Sequence, residues 1–158
     1  MSTTVVETKE APKEAPIFGN EDIHKAVGAI RKADNTESWV LLSYTGERSN
    51  KLGIFAEGQG LEELKKNLDD KEVLYGYQRI EYANDSESKR IKFVVIVWIG
   101  PEVKVMRRAR VSVQKGDIVA TLKPHGTVEA DEKGDIVRKN IETQLRKNGG
   151  ADYNGGRG

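Results

Sequence analysis

Ser88-Lys89-Arg90-Ile91-Lys92-Phe93-Val94-Val95-Ile96-Val97-Trp98-Ile99-Gly100 sets seven consecutive apolar residues behind a basic start. A run so rich in β-branched and aromatic side chains suits a central strand covered on both faces. A second basic cluster follows at Lys104, Arg107, Arg108 and Arg110. The order predicts a strand that holds its basic lip rigidly against the helix that follows. Fixed cations of this kind suit a large acidic partner and say nothing of catalysis.

The charge is concentrated around that strand. Residues 86–115 carry eight basic side chains, those just named with Lys115, against Glu87 and Glu102; the window is +6 in a chain of net +1, leaving −5 elsewhere. A one-sided field steers an anionic partner to one face while the molecule stays near neutral. The plainer alternative is a solvated helix face beside a charged loop.

A chain of 158 residues fits one domain with a sizeable core. It contains no cysteine, which excludes disulfides, thiolate metal sites and cysteine nucleophiles and fits a reducing compartment. Met1-Ser2-Thr3-Thr4-Val5-Val6 lacks the basic and apolar regions of a secretory signal. No apolar stretch approaches the roughly 20 residues that span a bilayer. A soluble cytoplasmic protein is expected.

Working outward, Lys9-Glu10-Ala11-Pro12-Lys13-Glu14-Ala15-Pro16 nearly repeats itself, and residues 1–18 read as a disordered tail. Residues 149–158 are glycine-rich and read as a flexible tail, leaving a folded domain at 19–148. Asn20 suits an N-cap for a first helix with Ile23, Val27 and Ile30 on one stripe. Strands are predicted at Trp39–Tyr44 and Lys51–Ala56, across the polar turn Thr45-Gly46-Glu47-Arg48-Ser49-Asn50. Leu61, Leu64 and Leu68 mark a short helix; Val73–Tyr82 reads as a third strand, with a turn at Asn84-Asp85-Ser86 before the Phe93 run.

Pro101 suits the start of the next helix. Val111-Ser112-Val113 and Gly116 predict an interruption in it, before Ile118, Val119 and Leu122 resume the helical spacing up to Pro124. Thr127–Ala130 suits an edge strand, and a last helix carries Val137, Ile141 and Leu145 until Gly149-Gly150 stops it. The order α-β-β-α-β-β-α-β-α predicts an α/β sandwich, a mixed sheet between helices.

No motif argues for an enzyme, a cofactor or a metal. Gly58-Gln59-Gly60 has the place of a dinucleotide fingerprint, but Glu63 stands at the third glycine position and would repel a pyrophosphate. His24 and His125 are far apart in sequence, and Asp131-Glu132-Lys133-Gly134-Asp135 lacks calcium-loop spacing and reads as helix capping. Tyr75, Tyr77 and Tyr82 could stack nucleic-acid bases, yet they fit cross-strand packing equally and no RNP-type motif accompanies them, so no nucleic-acid partner is expected.

Lys89-Arg90-Ile91-Lys92-Phe93, Val97-Trp98-Ile99-Gly100, Arg108-Ala109-Arg110 and the closing Gln144-Leu145-Arg146-Lys147-Asn148-Gly149-Gly150-Ala151-Asp152-Tyr153 resemble, in order and spacing, the coactosin-like branch of the actin-depolymerising-factor homology family. The likeness runs from about Asp22 to Tyr153. It implies a five- or six-stranded mixed sheet flanked by four or more helices, and binding along the sides of actin filaments. It also implies two gripping surfaces: the long helix after the tryptophan strand, here Arg107, Arg108 and Arg110, and the basic strand start with the last helix, here Lys89, Arg90, Lys92, Arg138 and Lys139. Cofilin-type members place basic residues eight and ten positions after the tryptophan; here these are Met106 and Arg108. With the interrupted helix, that departure implies a filament binder without strong severing or depolymerising activity, the alternatives being a cofilin-like depolymerising protein or a phosphoinositide-binding module. Weak binding of actin monomer and of phosphoinositides is compatible with the same cations. A monomer is expected, and a long tail makes a phosphorylation switch at Ser2 a poor fit.

Overall fold

The Phe93 run lies in β4 (Lys89–Ile99), which pairs antiparallel with β3 (Val73–Ala83) and parallel with β5 (Gly126–Ala130). The computed structural model describes residues 20–32, 36–83 and 88–157, with side chains up to Asn148. β1 (Ser38–Tyr44) and β2 (Leu52–Gln59) complete a five-stranded sheet in the order β2-β1-β3-β4-β5, all pairs but the last antiparallel. Four α-helices are described: α1 (Glu21–Lys32), α2 (Leu61–Lys66), α3 (Val105–Leu122) and α4 (Arg138–Arg157). The predicted element order and the mixed sheet are both found. The tail 1–18, including Ser2, and the turn at Asn84-Asp85-Ser86 lie outside the described residues.

Strand alternation divides the core in two. Val73, Tyr75, Tyr77, Val95 and Val97 face α1 and α3, where Ile23, Ile30, Val111, Ile118 and Leu122 cover them. Leu74, Ile80, Val94, Ile96 and Trp98 face the other way and meet Leu61 and Leu64 of α2 and Ile141 and Leu145 of α4. β4 is thus an interior strand buried on both faces, as its unbroken apolar run requires. Tyr75 and Tyr77 are fully buried and Tyr82 nearly so, which removes them as stacking platforms. Among the described residues no helix is long and apolar enough to cross a membrane.

Two helix boundaries and one helix interior differ from the sequence expectation. Pro101 does not open α3, because residues 100–103 form a turn closed by Val103 N–H on the Gly100 carbonyl and Glu102 N–H on that of Asp70; the helix begins at Val105. α3 is also unbroken through Val111-Ser112-Val113 and Gly116. Buried Val111, Ile118 and Leu122 anchor it to the sheet, and packing outweighs the fractions of a kcal/mol by which β-branched residues disfavour a helix. It ends where Lys123 turns left-handed at φ 52°, just before Pro124. α4 runs past Gly149-Gly150 to Arg157. Its apolar stripe is Ile141 and Leu145, with buried Ile136 before it, while Val137 is turned outward.

The turn after β4 is tied to the loop before β3. Trp98 donates its indole N–H to the Asp69 carbonyl at 2.8 Å, and Gly100 N–H reaches the Glu72 carbonyl at 3.0 Å. A Cβ on Gly100 would stand 2.1 Å from the Asp70 carbonyl oxygen, so only glycine lets these backbones approach.

Candidate functional site

The basic lip is part of β4 itself, and alternation splits it between the faces. Lys89 and Ile91 share the phase of Phe93, on the α1/α3 side; Arg90 and Lys92 share the phase of Val94, on the α4 side. Lys89 Nζ sits 2.8 Å from Glu81 Oε1, and Arg79 Nε donates to Glu81 Oε2 at 2.9 Å. Arg79 is 3% exposed and also donates to the Ile30 carbonyl at 3.3 Å. A buried guanidinium needs such a counter-charge. The Lys89 ammonium, then Arg79, hold the Glu81 carboxyl below its usual range despite the opposing effect of burial.

Arg138 is used internally. It makes a two-pronged pair with Glu37 (2.7 Å to Oε1 and 2.5 Å to Oε2), donates to Glu142 Oε2 at 2.8 Å, and reaches the Glu81 carbonyl at 2.9 Å. Glu37 also accepts the Glu81 N–H at 2.8 Å. One turn apart on α4, Glu142 and Arg146 continue the ladder; Arg146 lies 4.9 Å from the Tyr82 ring centroid and donates to the Ala83 carbonyl at 3.0 Å. This network docks α4 beside the start of β4. Exposed Arg90 and Lys139 and half-buried Lys92 have no side-chain hydrogen bond or ion pair among the described residues. They are among the cations presented outward at this end, beside Lys89 with its side chain 57% exposed.

The second cluster is also largely engaged. Arg107 donates to the carbonyls of Ser49 (3.0 Å), Gly46 (2.9 Å) and Glu47 (2.5 Å), with its guanidinium 4.1 Å from the Tyr44 ring centroid. Arg108 caps the turn before α3 through the carbonyls of Val103 and Gly100, both at 3.0 Å, and of Pro101 at 3.3 Å. Arg110 is exposed and bonds the Asn50 side chain. Sequence reasoning passed over the apolar surface here: Val105 and Met106 are each 79% exposed and Val113 80%. Met106, Ala109 and Val113 follow i, i+3, i+7 opposite the buried Val111 stripe, a spacing readable in the sequence.

The two groups do not form one patch. They lie at opposite ends of an 11-residue strand, roughly 35 Å apart at about 3.3 Å per residue. The expectation of a lip held against the following helix is corrected accordingly: β4 separates them.

The remaining motifs are structural. Asp135 accepts the N–H groups of Asp131 and Glu132, each at 3.2 Å, which caps the short 3-10 turn Lys133–Asp135 and lowers the Asp135 carboxyl. Gly58 makes room for Trp39, whose ring would be 2.5 Å from an added Cβ. His125 accepts the Phe93 N–H on Nδ1 at 3.0 Å, while His24 lies on the exposed side of α1.

The family model described as cofilin/tropomyosin-type actin-binding protein matches residues 17–146. Coactosin of Dictyostelium discoideum is 34% identical over 137 residues, covering 85% of this chain and 92% of its own. Coactosin of Entamoeba histolytica is 39% identical over 139 residues, covering 86% and 93%; its crystal structure superposes with a TM-score of 0.69 at 31% identity, over 78% of this chain and 90% of that one. The solution structure of mouse coactosin, described as an actin filament binding protein, shares the fold at a TM-score of 0.65 and 24% identity, over 85% and 93% of the chains.

Proposed function

The chain belongs to the cofilin/tropomyosin-type actin-binding protein family, and on that premise we propose that it binds along the sides of actin filaments as a coactosin does, without strong severing or depolymerising activity. The observation that carries this reading is the pair Arg90 and Lys92, unpaired among the described residues on the start of β4, which pairs with β3 just ahead of the Val94–Trp98 segment held on both edges. Cations on a rigid element keep their complementarity to an acidic filament without a large ordering cost, and they speed encounter. Lys139 extends this surface. Lys89 contributes with its ammonium already shared with Glu81, while Arg107, Arg108 and Arg138 act as internal braces. The protein acts as a monomer on the cytoplasmic actin cytoskeleton.

With α3 continuous, Met106, at the position where cofilin-type members carry a basic residue, is the feature that disfavours severing. Its exposed Val105, Met106 and Val113 favour a second contact with actin through α3, including weak binding of monomer. High-speed sedimentation and light scattering test the activity together. The protein is expected to pellet with filaments while scattering stays constant; a rapid fall in scattering contradicts the non-severing reading. Phosphoinositide headgroups would use the same cations, so flotation of liposomes is expected to fall when filaments are added.

A further inference from the structure

The β1–β2 turn, residues 45–51, is fastened to α3 more firmly than hairpin geometry requires. Within the turn, Thr45 N–H bonds the Lys51 carbonyl at 2.9 Å, Ser49 N–H the Gly46 carbonyl at 3.1 Å, and the Thr45 and Ser49 hydroxyls meet at 2.8 Å. Across to α3, Arg107 gathers three of the turn's carbonyls and stacks on Tyr44, while Arg110 bonds Asn50. Tyr44 in turn donates its hydroxyl to Gln114, one helix face with Arg107, at 2.7 Å.

At 100° per residue, Arg107 and Gln114 point to the turn, Arg110 comes next around α3, and Met106, Val113 and Ala109 follow outward. The turn therefore flanks the exposed apolar stripe on its Arg110 side. Its tip carries Arg48, exposed and with no hydrogen bond or ion pair among the described residues. Lys104 and Glu47 approach to 3.7 Å with both side chains 85% exposed, a pair too solvated to hold the turn by itself.

We propose that the β1–β2 turn is a wall of the α3 docking surface, with Arg48 meeting acidic groups of the actin filament and Arg107 acting as the pin that holds the turn in place. This rests on the filament-binding reading. Charge complementarity identifies the occupant: an apolar stripe bordered by Arg48 and Arg110 fits an apolar strip with an acidic margin. Arg107 is a positioning residue, since three of the five N–H groups of its guanidinium go to the turn's carbonyls.

Co-sedimentation of the full chain with actin filaments tests this with Arg48→Glu, Arg107→Met and the double variant, thermal midpoints being read alongside. Arg48→Glu is expected to weaken binding about five-fold at low salt, at an unchanged midpoint. In the Arg107→Met background the same change is expected to matter less than about two-fold, because the released turn no longer presents residue 48. A five-fold effect that persists in that background overturns the pin. Should Arg107→Met fail to fold, amide exchange of the wild type serves: filaments are expected to protect residues 45–51, and unprotected amides overturn the proposal. Wild-type affinity in Arg48→Glu, with loss of binding in Arg90→Ala/Lys92→Ala, overturns the wall and leaves the filament reading standing. A wild type that does not pellet with filaments overturns both.

Discussion

Neighbouring cations in this chain differ in what they are free to do. Arg138 and Lys139 are adjacent, yet one is bound to Glu37 and Glu142 and the other is exposed. Arg138→Ala is therefore expected to cost stability, about 1–2 kcal/mol given its partial exposure, measured by denaturant unfolding. Lys92→Glu should leave the unfolding curve in place and weaken filament binding instead. Glu81 sets a pH dependence. Its folded carboxyl titrates below the unfolded value of about 4.3 because Lys89 and Arg79 hold it, so its contribution is present above that pH and is lost as pH falls through the folded value. Acid unfolding of Glu81→Gln should accordingly be flatter below about pH 4.5 than that of the wild type. Sequence reasoning picked out the cations but could not tell which were engaged. Glu37 meets Arg138 across a separation of 101 residues, and Arg107 meets backbone carbonyls, which no residue pattern advertises. The Arg138, Glu142, Arg146 spacing of four was a readable signal of an internal ladder.

Strands were the most legible elements, because burial on both faces leaves β4 seven apolar residues in a row and β1 the run Trp39-Val40-Leu41-Leu42. α3 was the least legible: its local propensities conflict with a fold that needs a crossover between parallel β4 and β5. Val111 and Ile118 settle the conflict through burial, seen only once the sheet beneath them exists. Gly116 remains a weak point in the middle of that helix, and a Cβ there meets nothing within 4 Å. Gly116→Ala should stabilise the protein by about 0.5–1 kcal/mol, raising the thermal midpoint by a few degrees. Gly100 is the opposite case. Alanine there collides with the Asp70 carbonyl, which must move along with the Trp98 anchor, and a loss of several degrees in midpoint is expected.

At the scale of the molecule, a net charge of +1 conceals two cationic ends separated by the length of β4. The local excess read in the sequence is real as arithmetic, but it is not one face: β4 carries its start to one end of the sheet and α3 begins at the other. Filament binding through solvated cations should weaken steadily as salt rises and the screening length falls to about 8 Å. Arg90 and Lys92, unpaired among the described residues on the β3-paired start of β4, are the proposed grip on the filament. Co-sedimentation with actin filaments of wild type against Arg90→Ala/Lys92→Ala, with matched unfolding curves, tests it most directly. Pelleting of the wild type that the double variant loses is the predicted result; equal pelleting of the two would contradict it.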